Sequence, residues 1–132
     1  MVSKPLQKPF RSINKNSDFL HLKDKGIKFW ASSWMLLSMD ADYDPNSPKS
    51  EIGFILSRKV GNAVIRNRVK RWLRGEISIF LKENPDVKVK FSVFIKPMSD
   101  GYYKKMSFVS FKKVLNNGIK FIYKKRPTKG NQ

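Results

Sequence analysis

The chain has 132 residues, with 28 Lys and Arg against 10 Asp and Glu, a net charge of +18 and no cysteine. That length holds about one domain with one core, and the missing cysteine excludes disulfides and thiolate metal sites. Apolar residues make up 40%, with ten Phe and three Trp, which is too rich for a disordered basic arm; the charge belongs to a folded module whose partner is a polyanion.

Residues 1–12 carry Lys4, Lys8 and Arg11 with Pro5 and Pro9 and are expected to form a basic, flexible N-terminal arm. They contain no apolar stretch of a secretory signal, so a cytoplasmic location is expected. A single domain over 13–123 follows. Its first helix is predicted at Asn16 to Lys25, capped by Asn16 or Ser17 and closed by Gly26. Ile27 to Met39 is aromatic and apolar and suggests a long strand, bent or broken along its length. The segment Asp40 to Ser50 holds three acids and two prolines and reads as an exposed loop. Glu51 to Ser57 is predicted as a strand buried on both faces, then a turn around Gly61. A long helix from about Asn62 to Lys82 ends at Asn84-Pro85. Val87 to Lys96 alternates as a strand does, and Ser107 to about Tyr123 is amphipathic at helical spacing. Residues 124–132 are expected to be a basic flexible tail. The order αβββαβα indicates an α+β or α/β two-layer sandwich.

From Ser57 to Arg74 there are seven cations, Arg58, Lys59, Arg66, Arg68, Lys70, Arg71 and Arg74, and no carboxylate. At about 100° per residue, Ile65, Val69, Trp72, Leu73, Ile77 and Phe80 share one arc of the long helix. Asn67, Lys70, Arg71 and Arg74 take the opposite arc, with Arg66 and Arg68 at its borders. Like charges at i,i+4, such as Arg66 with Lys70, cost a few tenths of a kcal/mol each. A row of phosphates converts that cost into binding, and the Arg forks suit bidentate contact. A solvated face mixes its signs, and a DNA-reading helix normally sits in a compact helical module; one packed among strands favours RNA.

The run Ser57-Arg58-Lys59-Val60-Gly61-Asn62-Ala63-Val64, then Arg66-Asn67-Arg68, Lys70-Arg71 and Arg74, resembles the signature of the bacterial ribonuclease P protein component. The similarity extends in order and spacing over most of residues 10–123. It implies a fold related to a ribosomal-protein domain, with a left-handed βαβ crossover carrying the basic helix. It implies the protein subunit of the ribonucleoprotein endonuclease that matures tRNA 5′ ends, whose partners are its catalytic RNA and precursor tRNA, with neither DNA nor membrane. Catalysis and its Mg2+ then belong to the RNA. Arg58, Lys59, Asn62, Arg66, Asn67, Arg68, Lys70, Arg71 and Arg74 match the motif as RNA contacts. Phe19 matches an aromatic of the cleft for the 5′ leader. Lys23 stands where many members carry a second aromatic, a strand aromatic is replaced near Leu37, and Trp30 and Trp34 are candidates to repopulate the wall.

Other chemistry is thinly represented. His21 is the single histidine and supports neither a two-histidine nuclease nor a metal site. Asp40, Asp42 and Asp44 alternate but lack the glycine and distant Glu of a calcium loop. Phe91, Phe94, Phe108 and Phe111 are expected in the core. The rival class is a structural RNA-binding protein of the same fold ancestry with no link to cleavage.

Overall fold

A computed structural model describes residues 8–128; the remainder of both predicted arms lies outside the described residues. Strands β1 (Phe10–Ser12), β2 (Ile27–Ser32), β3 (Met35–Met39), β4 (Ser50–Leu56) and β5 (Lys90–Ile95) form one mixed sheet in the order β1-β4-β5-β3-β2. The helices are α1 (Asn16–Lys25), α2 (Ala63–Glu83), a single turn α3 (Tyr102–Lys105) and α4 (Phe108–Lys125). β4, α2 and β5 form a parallel crossover, whereas β2, β3 and β5 pair antiparallel. The result is an α+β fold, as the element order predicted.

One face of the sheet makes the core. Leu37, Met39, Ile52, Phe91, Val93 and Ile95 point into it and meet Val69, Leu73 and Ile77 of α2 and Phe111, Leu115 and Ile122 of α4. Gly118 lets α4 approach closely, since a Cβ there would stand 2.8 Å from the Leu37 side chain. Asn62 caps α2 as expected, its Oδ1 accepting from Ile65 N at 3.0 Å, and Ser107 caps α4 by accepting from Ser110 N. The opposite face is covered only in part, by α1.

Several boundaries differ from the sequence pattern. The sheet begins at Phe10, inside the predicted arm: three residues pair parallel with β4 and Phe10 is buried. The expected long strand is a hairpin broken by a turn at Ser33-Trp34. Lys15, without a side-chain hydrogen bond, takes the N-cap position of α1 in place of Asn16 or Ser17. β4 is not buried on both faces: Ile52 is enclosed, but Ile55 is open to solvent. α4 runs two residues past Tyr123, into the predicted tail.

Candidate nucleic-acid interface

The cationic face of α2 is built by its apolar arc. With Ile65, Val69, Leu73 and Ile77 buried against the sheet, Asn67, Arg71 and Arg74 are driven outward and exposed, and Lys70 is half-buried. Before the helix, Arg58 and Lys59 sit exposed on a 3-10 turn (Arg58–Val60), where Ser57 Oγ accepts from Lys59 N. Ion pairs among the described residues are confined to Lys90 with Asp18 and Glu51, and Lys112 with Glu76. Among the described residues no carboxylate therefore pairs with the motif.

The nine motif residues divide into two kinds. Asn62 caps the helix, and Arg66 donates from Nη1 to Gly61 O at 2.7 Å, bracing the turn. Arg68 donates to the carbonyls of Tyr103 and Lys104, and its guanidinium lies 4.9 Å from the Trp72 ring centroid. Its buried Nε has no partner. These three hold α2 to its surroundings. Arg58, Lys59, Asn67, Lys70, Arg71 and Arg74 make no side-chain hydrogen bond to the protein among the described residues and remain available to a phosphate.

A second feature lies on the other face of the sheet, where α1 leaves a groove of about 600 Å³. Asn16, Phe19, Leu20 and Lys23 of α1 form one wall, and Lys28, Leu36, Ser38, Ile55, Ser92 and Phe94 supply much of the floor. Strand register explains the layout. Trp30, Leu36, Phe94 and Ile55 are cross-strand neighbours in one row, and Lys28, Ser38, Ser92 and Gly53 in the next. Phe19 can lie over the sheet because Gly53 has no side chain: a Cβ would fall 2.5 Å from the ring. Leu56 lines the groove two residues before Arg58, so the chain passes directly from the groove into the basic turn.

The base of α1 is fixed by Lys90, whose Nζ is 3.0 Å from Asp18 Oδ1 and 3.4 Å from Glu51 Oε1. Burial alone lowers the Lys90 ammonium; the hydrogen bond and charge of Asp18, with Glu51, outweigh it and raise Lys90 above the ordinary lysine value.

Of the sequence candidates for this cleft, Phe19 lines it and Trp30 stands half-exposed at the end of its apolar row. Trp34 does not belong to it. The hairpin turn sends that ring to the core, where it is 4% exposed and packs on Phe111, Tyr103 and Tyr102. Leu37 likewise points into the core, and its neighbour Leu36 faces the groove. Phe94, expected in the core, lines the groove, whereas Phe91 is buried. Phe108 is also partly exposed, packing its ring against Trp72. The available signal for Phe94 was parity: residues three apart on a strand face opposite sides. Lys28, Ser38 and Ser92 were missed for want of the pairing register.

No helix among the described residues is long and apolar enough to cross a membrane. A sequence model of the family described as Ribonuclease P matches residues 8–123. A ribonuclease P protein component from Bacillus velezensis is 31% identical over 121 residues, 89% of this chain and 95% of that one. One from Gluconacetobacter diazotrophicus is 34% identical over 73 residues, 55% of this chain and 60% of the other. The RNase P protein of Staphylococcus aureus has a similar fold, with TM-score 0.64, 22% identity, and coverage of 83% of this chain and 93% of that one. The cationic face, the groove and these likenesses agree: the chain belongs to the ribonuclease P protein family, the protein subunit of the ribonucleoprotein that matures tRNA 5′ ends.

Proposed function

We propose that the chain binds the catalytic RNA through the outer face of α2 and the turn before it, and holds the 5′ leader of precursor tRNA in the groove beneath α1. The observation that carries this reading is the geometry of the two surfaces: an array of cations without side-chain partners among the described residues, and an apolar groove edged by Lys23 and Lys28 whose last strand leads into the basic turn. Aromatic and apolar groups accept unstacked bases, lysines at the edges meet phosphates, and such a groove suits a single strand. A duplex offers no unstacked base to it, and nothing in it resembles a lipid-facing surface. In this reading its partners are RNAs and neither DNA nor membranes, and the site of action is the cytoplasm.

The chain's part in the reaction is electrostatic and positional. Arg58, Lys59, Lys70, Arg71 and Arg74 neutralise crowded phosphates, so the RNA holds its fold at lower magnesium. The groove adds contacts that only a precursor possesses. Among the described residues no group of three or more His, Cys, Asp or Glu side chains converges. In this reading magnesium and the hydrolytic step belong to the RNA, and no step is assigned to a protein side chain.

Reconstitution tests it. The protein is mixed with a bacterial ribonuclease P RNA at low magnesium, and affinities for precursor and mature tRNA are compared as the leader is shortened. The expected result is tighter binding of precursor with the protein present, a gain that vanishes with the leader. A full gain with a leaderless substrate removes the groove assignment; failure to bind the RNA removes the α2 assignment.

A further inference from the structure

An apolar patch lies uncovered where α4 begins. Phe108 and Val109 open that helix and are 38% and 71% exposed, although a first helical turn ordinarily carries polar or acidic side chains. Phe108 packs on Trp72, a residue of the motif helix itself, with ring centroids 5.5 Å apart. Trp72 in turn packs on the buried Phe111 and has the Arg68 guanidinium beside it. Phe111 already supplies the core contact of this turn, so the exposed pair is not needed for folding. Exposed apolar side chains grouped in one place mark contact surfaces.

The rim decides what such a surface can take. Arg68 donates to the carbonyls of Tyr103 and Lys104, which brings α3 and its exposed Lys104 and Lys105 alongside. Lys112 has its Nζ 6.0 Å from the Phe108 ring centroid, and the exposed Lys113 follows it. Against these cations stand Glu76, 3.8 Å from Lys112, and Asp100, which shares a shallow depression with Lys105. The balance is positive, so a second copy of a chain carrying +18 is repelled from it. Aromatic rings framed by cations suit a nucleotide, whose base lies on a ring while its phosphates meet the lysines. The patch lies on the α2 side of the sheet and the groove beneath α1 on the other, so it faces the RNA held by α2.

We propose that Phe108 and Trp72 form a stacking platform for one unpaired nucleotide of the catalytic RNA. The base rests on Phe108, the more exposed ring, and Lys104, Lys105 and Lys112 meet the neighbouring phosphates. The RNA-binding surface then runs from the motif across to α3 and α4, and part of its affinity is not ionic. The inference rests on the assignment of α2 to the catalytic RNA.

Titration of the whole protein with a bacterial ribonuclease P RNA, repeated over a salt series, tests it. Phe108→Ala is expected to weaken binding by about five- to a hundredfold, the span of one stacked base, with the slope of log affinity against log salt unchanged. Phe108→Tyr, which keeps a ring, binds as wild type does. Phe108→Leu keeps apolar packing on Trp72 and a wild-type denaturation midpoint but has no ring, and binds nearly as weakly as the alanine variant. Leucine binding equal to wild type overturns the platform and leaves the α2 assignment standing. A loss accompanied by a slope lower by about one does the same, since the contact is then a phosphate. A free protein that dimerises in ultracentrifugation through Phe108 also overturns it, because the patch then holds a second copy. A wild-type protein that fails to bind the RNA overturns both.

Discussion

Within the arginine-rich motif, neighbours of the same chemical type do different work. Arg68 is a strut: it ties α2 to the α3 turn through two carbonyls and lies against Trp72. Arg68→Ala leaves those carbonyls without their donor and is expected to destabilise the fold by about 1–3 kcal/mol, seen in a chemical denaturation midpoint. Arg68→Lys recovers only part of this, because it keeps a donor but loses the planar guanidinium that lies against Trp72. Arg71 and Arg74 have no such duty. Arg71→Ala and Arg74→Ala should leave the denaturation midpoint where it is. Each should lower the slope of log affinity against log salt by about one in titrations with the catalytic RNA. If Arg68→Ala changes the salt slope and not the midpoint, its assignment as a strut is wrong. A motif string in the sequence records which positions are cationic, but not which are committed internally; that depends on what α3 places beside them.

In the proposed reading leader binding depends on α1, an element held by few contacts. α1 has ten residues, too few to persist alone in water, and Leu22 is its single buried residue. It stays in place through that leucine, the Phe19 ring over Gly53, and Asp18 against Lys90. Gly53→Ala forces a methyl into the ring position, so Phe19 must swing out or α1 must lift. The expected cost is about 1–3 kcal/mol, with the leader-dependent part of precursor affinity lost and binding to the catalytic RNA retained. Retained leader discrimination would show that Phe19 does not set the groove. Helix periodicity made α1, α2 and α4 legible to within a residue or two at most ends. Face assignment on the strands was less legible, because parity restarts at each turn. Trp34 lies on the hairpin turn itself, so no alternation governs it. β1 has three residues, shorter than any window in which a strand pattern can show, and is a strand only because β4 offers an edge.

For the molecule as a whole, the resolved titrations point one way. Burial raises the Tyr103 phenol far above the ordinary tyrosine value, with nearby Tyr102 adding to it, and its hydroxyl donates to Lys96 O. Tyr43 is raised by burial, and Lys90 is raised by Asp18 and Glu51 against the opposing effect of burial. A group whose folded value lies above its unfolded one stabilises fully below the unfolded value and loses that contribution as pH rises through the folded one. The unfolded values are about 10 for tyrosine and about 10.4 for lysine. Stability should therefore hold across neutral pH and decline from about pH 10 upward. Tyr103→Phe removes part of that alkaline slope, measurable as denaturation midpoints at pH 8 and pH 10.5. A decline that begins near neutrality contradicts the assignment. Net charge and the motif made the class of partner legible from the chain alone; the groove required long-range strand pairings such as Leu36 with Phe94 and Ser38 with Ser92, which no local pattern encodes.

β5 is the last strand in the chain and the middle one in the sheet. Before it emerges from the ribosome, β1 can meet β4 and β2 can meet β3, but nothing joins the two pairs. The cationic helix, made earlier, has at that stage only half a surface to lie on. Birth order thus delays a complete surface beneath the cationic helix until β5 has been made. A stop codon between Glu83 and Lys90 leaves two disconnected ribbons and a highly charged segment with no complete core beneath it.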